Sequence, residues 1–221
     1  MTILDPLAVP GAGPAGTPDP GRIGAVVLCG GTAARMQGAD KASIELDGVT
    51  LLERALAATV TAIEVVVVGE QVPTTRPVTW TVEDPRGGGP AAGLLAGLDA
   101  FLRPPGVVLV LAVDMPRVTP GTFARLMGVL EDDPAVDAAL LVDHDDRTQP
   151  LCGAYRGAAL AAARPARTED RHGLPVHRLL EPLRVAHVRA VADEARDVDT
   201  WEDLRELRGR AAREHTSYDE P

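Results

Sequence analysis

Behind an apolar run from Ile23 to Leu28, the chain places LCGGTAARMQGADK, residues 28–41, with three glycines and two cations in one stretch. Gly30 and Gly31 allow a sharp turn that brings their own N–H groups and that of Thr32 close to phosphate oxygens. Arg35 and Lys41 add charge and hydrogen bonds to the same oxygens. Lys41 is the only lysine in a chain with 22 lysine and arginine residues. A compact ammonium there points to a geometric need that a forked guanidinium does not meet. The stretch reads as a triphosphate-binding loop, entered through Leu28 and Cys29. It is not a P-loop, because that motif needs Gly-Lys-Ser/Thr opening a helix, whereas Lys41 follows Asp40 and precedes Ala42. The segment GAGPAG, residues 11–16, matches a dinucleotide pattern, but no strand precedes it and Pro14 falls where the tight turn must form.

A second chemical position follows another continuous apolar run, Gly106 to Ala112, which leads into Val113-Asp114-Met115-Pro116. Asp114 thus lies beyond the carboxyl end of a buried strand, where open parallel sheets bind ligands. Magnesium takes one or two carboxylates plus substrate phosphates, so Asp114 reads as a Mg2+ ligand. Thr119-Pro120 already supplies the next helix with an N-cap and a first-position proline, which weakens a capping role for Asp114. The acidic run Asp143-His144-Asp145-Asp146 sits between two strand-like segments and reads as hairpin-turn chemistry, not a metal site. His172 and His177 are assigned no acid–base task, since transfer chemistry at phosphorus asks little proton transfer of the protein.

The elements that must position these residues alternate along the chain. Leu51, Leu52, Ala55, Leu56 and Val60 recur at helical spacing, after a tight turn at Asp47-Gly48. Val65–Val68 reads as a strand buried on both faces, Val78–Val82 as another, and an Ala/Leu helix follows and ends near Leu102. Further helices are expected over Pro120–Leu130, over Ala158–Ala163 and from Pro175. Strands are expected over Asp137–Val142, around Gln149–Tyr155 and over Val185–Val191. This pattern predicts one three-layer α/β domain with a mostly parallel central sheet over residues 22–213. A Pro/Gly-rich leader, residues 1–21, and a polar tail, residues 214–221, are expected to lack order. The net charge of −10 and pI near 4.9 argue against nucleic-acid and membrane-surface binding. Two cysteines without metal or disulfide spacing, no secretory signal and no membrane-length apolar run suit a cytoplasmic protein.

The pattern L-x-G-G-x-x-x-R-M-x-G-x-D-K resembles the signature of the nucleotidyltransferases that attach a nucleotide to the molybdenum cofactor, above all the molybdopterin guanylyltransferases. Asp114 matches that family's C-D-x-P element. Asp84 and the loop Gly87–Gly93, with Gly89 and Pro90 at its centre, resemble the Asp and Gly-Pro-Leu-Ala-Gly loop that frame the guanine base; Ala91 stands where leucine is usual. Gln149-Pro150-Leu151 resembles a cofactor-side strand, in which Gln149 either meets the second substrate or caps the strand. Asp197-Val198-Asp199-Thr200-Trp201-Glu202-Asp203-Leu204 resembles the closing N-x-N-T-P-E-D-L. Here aspartates replace both asparagines, as in the related cytidylyltransferases, and Trp201 replaces proline. Asp199 is therefore either a second metal carboxylate or part of a capping network.

The resemblance implies a Rossmann-like nucleotidyltransferase fold. It implies GTP and molybdenum-molybdopterin as substrates, Mg2+ as cofactor, and passing contact with other enzymes of the same cofactor. The expected reaction is attack by the terminal phosphate of molybdopterin on the α-phosphorus of GTP, releasing pyrophosphate. The rivals are cytidylyl transfer to the same pterin, nucleotidyl transfer to another metabolite, and a non-catalytic nucleotide-binding module. Intact Arg35, Lys41 and Asp114 speak against the last.

Overall fold

The computed structural model describes residues 18–30 and 40–216, with side chains through residue 208. Seven strands form one sheet in the order β5-β4-β1-β6-β8-β7-β9. They are β1 Asp19–Leu28, β4 Glu64–Val68, β5 Thr79–Thr81, β6 Pro105–Ala112, β7 Ala138–Val142, β8 Thr148–Arg156 and β9 Val185–Arg189. Six run parallel, and β8 alone is antiparallel to its neighbours β6 and β7. Two short strands, β2 Glu45–Leu46 and β3 Val49–Thr50, form a separate hairpin. Its turn is the expected Asp47-Gly48, both at positive φ.

The near-continuous valine runs have their reason here. In β1, Ala25 and Val27 face one helical layer while Val26 and Leu28 face the other, so both faces must be apolar. The first layer holds α1 (Leu51–Ala58), α3 (Pro120–Asp132) and α6 (Trp201–Thr216); the second holds α2 (Pro90–Asp99), α4 (Gly157–Ala162) and α5 (Val176–Leu180). This is the expected three-layer α/β architecture with a mostly parallel sheet.

Local chemistry sets the helix starts. Thr50 Oγ1 accepts from Glu53 N to open α1, and Thr119 and Thr122 form a reciprocal capping box on α3. Pro90 occupies the first turn of α2 behind Gly89, whose φ of 87° suits glycine.

Three boundaries differ from expectation. β1 begins at Asp19, inside the stretch expected to be unstructured, because Asp19 pairs with Pro105 across a register shift and its N–H reaches Pro104 O. The α2 helix stops at Asp99, and Leu102 is exposed. The last helix continues to Thr216, beyond the expected tail boundary at Arg213.

Candidate nucleotide-transfer site

Leu28 is in register with Val68 on one side and Ala112 on the other, so β1, β4 and β6 end together. The chain leaves β1 toward β4 and returns past it to β6, which makes the gap above β1 and β6 a topological switch point. A cleft of about 260 Å³ opens there. The hydrogen-bonded Lys41, Asp114 and Asp199 form its charged wall, and Leu28, Cys29, Gly30, Ala112, Val113, Val68, Glu83, Pro90 and Leu151 line the rest.

The charged wall comes from three distant parts of the chain. Lys41 opens a single 3₁₀ turn, Lys41–Ser43, capped by Asp40, whose carboxylate accepts from Ala42 N and Ser43 Oγ. Its Nζ donates to Asp114 Oδ2 at 3.1 Å and to Asp199 Oδ1 at 2.8 Å. Asp114 leaves the end of β6, and its carbonyl accepts from Val198 N, which docks the segment before α6 against it. Asp203 then accepts from the backbone N–H groups of Asp199 and Thr200, while Thr200 Oγ1 accepts from Asp203 N. The α6 cap therefore fixes the backbone of Asp199, and its carboxylate meets Lys41. The two readings of this segment are thus divided between neighbours: Thr200 and Asp203 cap, and Asp199 enters the charged wall.

These charges shift their surroundings. Partial burial, then the carboxylates of Asp199 and Asp114, push the Asp197 carboxyl above the usual range. Burial, then Asp40 and Asp114, push the Cys29 thiol up to about 12, so in the cleft as it stands the thiol is protonated and a poor nucleophile. For Lys41, loss of solvent opposes the charge, but its bonds to Asp199 and Asp114 outweigh that and hold the ammonium above its ordinary value.

The donor chemistry fits magnesium. Two carboxylates converge on one cationic position, and carboxylate oxygen is the hard donor magnesium takes. Among the described residues no group of three or more His, Cys, Asp or Glu is placed to hold an ion alone. A Mg2+ held by one or two carboxylates and completed by substrate phosphates needs no such group.

Seven of the expected nucleotide and metal residues line the cleft: Leu28, Cys29, Gly30, Lys41, Pro90, Asp114 and Asp199. Gly31, Thr32 and Arg35 lie outside the described residues. Asp84 is exposed, and the carboxylate lining the cleft belongs to its neighbour Glu83. β5 ends at Thr81, and the chain bends at Asp84, which leaves that side chain exposed while Glu83 faces the cleft. A Cβ on Gly30 would lie 3.1 Å from Glu83 Oε1, so Gly30 admits the close approach of that carboxylate. Gly89 shapes the start of α2 without lining the cleft.

Other positions fall as their local chemistry requires. Gln149 Nε2 reaches Asp143 Oδ2 at 3.4 Å, toward the hairpin turn and not the cleft. In that turn Asp143 accepts from the N–H groups of Asp145 and Arg147, the expected turn chemistry. His172 and His177 are exposed.

A mostly parallel sheet with acids and a lone lysine gathered at the switch point defines an α/β protein with a charged ligand cleft. The comparisons narrow this class. A family profile described as the MobA-like NTP transferase domain matches residues 25–198, and the chain belongs to that family. It is a nucleotidyltransferase. No match is found among curated protein sequences.

Solved structures share the fold. Molybdopterin-guanine dinucleotide biosynthesis protein A from Archaeoglobus fulgidus is 23% identical, with a TM-score of 0.67 over 86% of this chain and 99% of that one. 2-C-methyl-D-erythritol 4-phosphate cytidylyltransferase from Thermus thermophilus is also 23% identical, with a TM-score of 0.62 over 85% and 98%. A nucleotidyl transferase from Methanothermobacter is 20% identical, with a TM-score of 0.64 over 87% and 99%. No described helix is long and apolar enough to cross a membrane.

Proposed function

We propose that the chain transfers GMP from GTP to molybdenum-molybdopterin, releasing pyrophosphate. The observation that carries this reading is the convergence of Lys41, Asp114 and Asp199 in a cleft that Glu83 and Pro90 also line. The first group suits a triphosphate and its magnesium; the second suits a purine edge with paired donors.

Backbone N–H groups of residues 30–32, with Arg35 and Lys41, stabilise the charge that builds on the β- and γ-phosphates as pyrophosphate leaves. Asp114 and Asp199 would hold Mg2+, which when bound supplies charge neutralisation at the phosphate oxygens. The terminal phosphate of molybdopterin is already an anion, so it attacks the α-phosphorus without a general base, and the chain's task is orientation. The Cys29 thiol takes no part, being held protonated.

Guanine presents N1–H and N2–H₂ on one edge, and a carboxylate opposite them accepts both. Glu83 takes this place in the proposal, one residue before Asp84, and Pro90 lies in the same cleft lining. Cytosine lacks the paired donors and would leave Glu83 unmatched, at a cost greater than a lost neutral contact.

Support for the pterin acceptor comes from the family and from the motif resemblance. Thermal-shift measurement with GTP, ATP, CTP and UTP, each with Mg2+, tests the nucleotide half. GTP at 100 times its Kd is expected to add about 2.7 kcal/mol of stability, and a larger shift with CTP would favour the cytidylyl rival.

A further inference from the structure

The ammonium of Lys41 sits where the two candidate metal carboxylates meet. It bridges them at 3.1 and 2.8 Å, and its side chain is 12% exposed against 27% for Asp114 and 43% for Asp199. The lysine thus lies beneath the carboxylates, with both drawn over it. A divalent cation arriving at the same oxygens meets a unit positive charge already paired with them. It must share ligands with that charge at short range, where repulsion is strong.

We propose that Lys41 is an internal counter-cation that keeps free divalent metal off Asp114 and Asp199 until the phosphates of a nucleotide draw its ammonium away. Metal and nucleotide then enter as a pair, and the chain alone holds metal weakly. The inference rests on the reading of these two aspartates as metal ligands and of the site as a triphosphate site.

Residue type supports the exchange. The sequence has no second lysine, so every other lysine-or-arginine ion pair in the protein is made by arginine. A guanidinium fork locks a carboxylate in a bidentate pair. A lysine is a point charge on a flexible four-carbon stem, which can swing to a new partner without moving the backbone. The backbone, meanwhile, is fixed at all three corners. Asp40 caps the turn that carries Lys41, Val198 N holds the carbonyl of Asp114, and Asp203 holds the N–H of Asp199. The lysine stem can move while these three points stay in place, and the phosphates that attract it are those that complete the metal's oxygen shell.

Linkage then requires reciprocity. If nucleotide raises metal affinity by releasing Lys41, metal raises nucleotide affinity by the same factor. Removing the ammonium abolishes that part of the coupling while strengthening metal binding in the absence of nucleotide. A lysine that only contacts phosphate does not produce this second effect.

The test is direct Mn2+ binding, followed by electron paramagnetic resonance, to the full chain and to Lys41→Met and Asp114→Asn, with and without an α,β-methylene GTP analogue. Lys41→Met is expected to bind Mn2+ about tenfold tighter than wild type without nucleotide. The gain in Mn2+ affinity on adding the analogue is expected to be smaller in the variant than in wild type. Lys41→Gln repeats the measurement should the methionine variant not fold. Mn2+ affinity in both variants equal to or below that of wild type overturns the inference, while loss of binding in Asp114→Asn leaves the metal reading standing. Unchanged Mn2+ affinity in Asp114→Asn overturns both.

Discussion

Two carboxylate clusters tie loops to this fold, and they differ in burial and in the kind of cation that holds them. Glu194 is 9% exposed. Its Oε1 accepts from Thr122 Oγ1 and from Arg125 Nη1, and its Oε2 from Arg125 Nη2 and the backbone N–H of Val191. Burial alone would raise its pKa, but these bonds outweigh that and hold it below the usual carboxylate range. At the cleft, Asp114 and Asp199 are more exposed and share one ammonium. A carboxylate saturated by a guanidinium fork and backbone is a fastener. Carboxylates bridged by a lysine at a cleft mouth can change partners, and catalysis needs such a site.

The comparison predicts that the two clusters fail in opposite ways. Asp114→Asn is expected to lower turnover by about 10³-fold with almost no change in thermal midpoint, since asparagine keeps the shape and loses the charge that holds magnesium. Pyrophosphate release within a few-fold of wild type at limiting Mg2+ would remove Asp114 from the chemistry. Lys41→Arg is expected to cost about 10²-fold in kcat/KM, because the forked, planar guanidinium misplaces the phosphates it contacts. Steady-state kinetics near those of wild type would return Lys41 to the fasteners.

Glu194→Gln should show the reverse, with turnover kept and about 2 kcal/mol of stability lost at neutral pH. The sign follows from its depressed pKa. The contribution of Glu194 is present above the unfolded carboxyl pKa of about 4.3 and is lost as pH falls through the lower folded value. Urea denaturation at pH 7 should therefore separate wild type from variant, and the gap should narrow in acid. A gap that widens on acidification contradicts the assignment.

Glu83→Gln has the smallest expected effect, a loss of about tenfold in the preference for GTP over CTP, because a neutral amide presents only one acceptor to paired donors. Unchanged preference, with Asp84→Asn altering it instead, would restore the base contact to Asp84.

The contrast also marks what the sequence can reveal. Continuous apolar runs such as Val65–Val68 announce strands covered on both faces, and an aspartate just past the run ending at Ala112 announces a ligand position. That Lys41 and Asp114 belong to one site is legible because each follows a distinct local pattern, whereas their direct ion pairs, and the part of Asp199 in them, emerge only from the fold. Parity after β5 is not legible. Whether Glu83 or Asp84 faces the cleft depends on where the strand ends and the chain bends, and two adjacent acids offer no local pattern to decide it.

Glu194 carries no signal either, since Arg125 and Thr122 lie 69 and 72 residues away. Nothing in the local sequence distinguishes it from a surface acid. The start of β1 at Asp19 is hidden for a related reason: a proline- and glycine-rich composition favours disorder, but pairing with Pro105 at the sheet's centre overrides that preference.

The central claim is guanylyl transfer to the molybdenum pterin at this cleft, and product identity tests it most directly. Molybdopterin carrying molybdate, Mg2+ and equal concentrations of GTP and CTP would be incubated with the protein, and the dinucleotide formed identified by mass. The account predicts a guanine dinucleotide, favoured over the cytosine product by at least about 10²-fold, with pyrophosphate released in matching amount. A predominantly cytosine product, or pyrophosphate release that does not depend on the pterin, would contradict it.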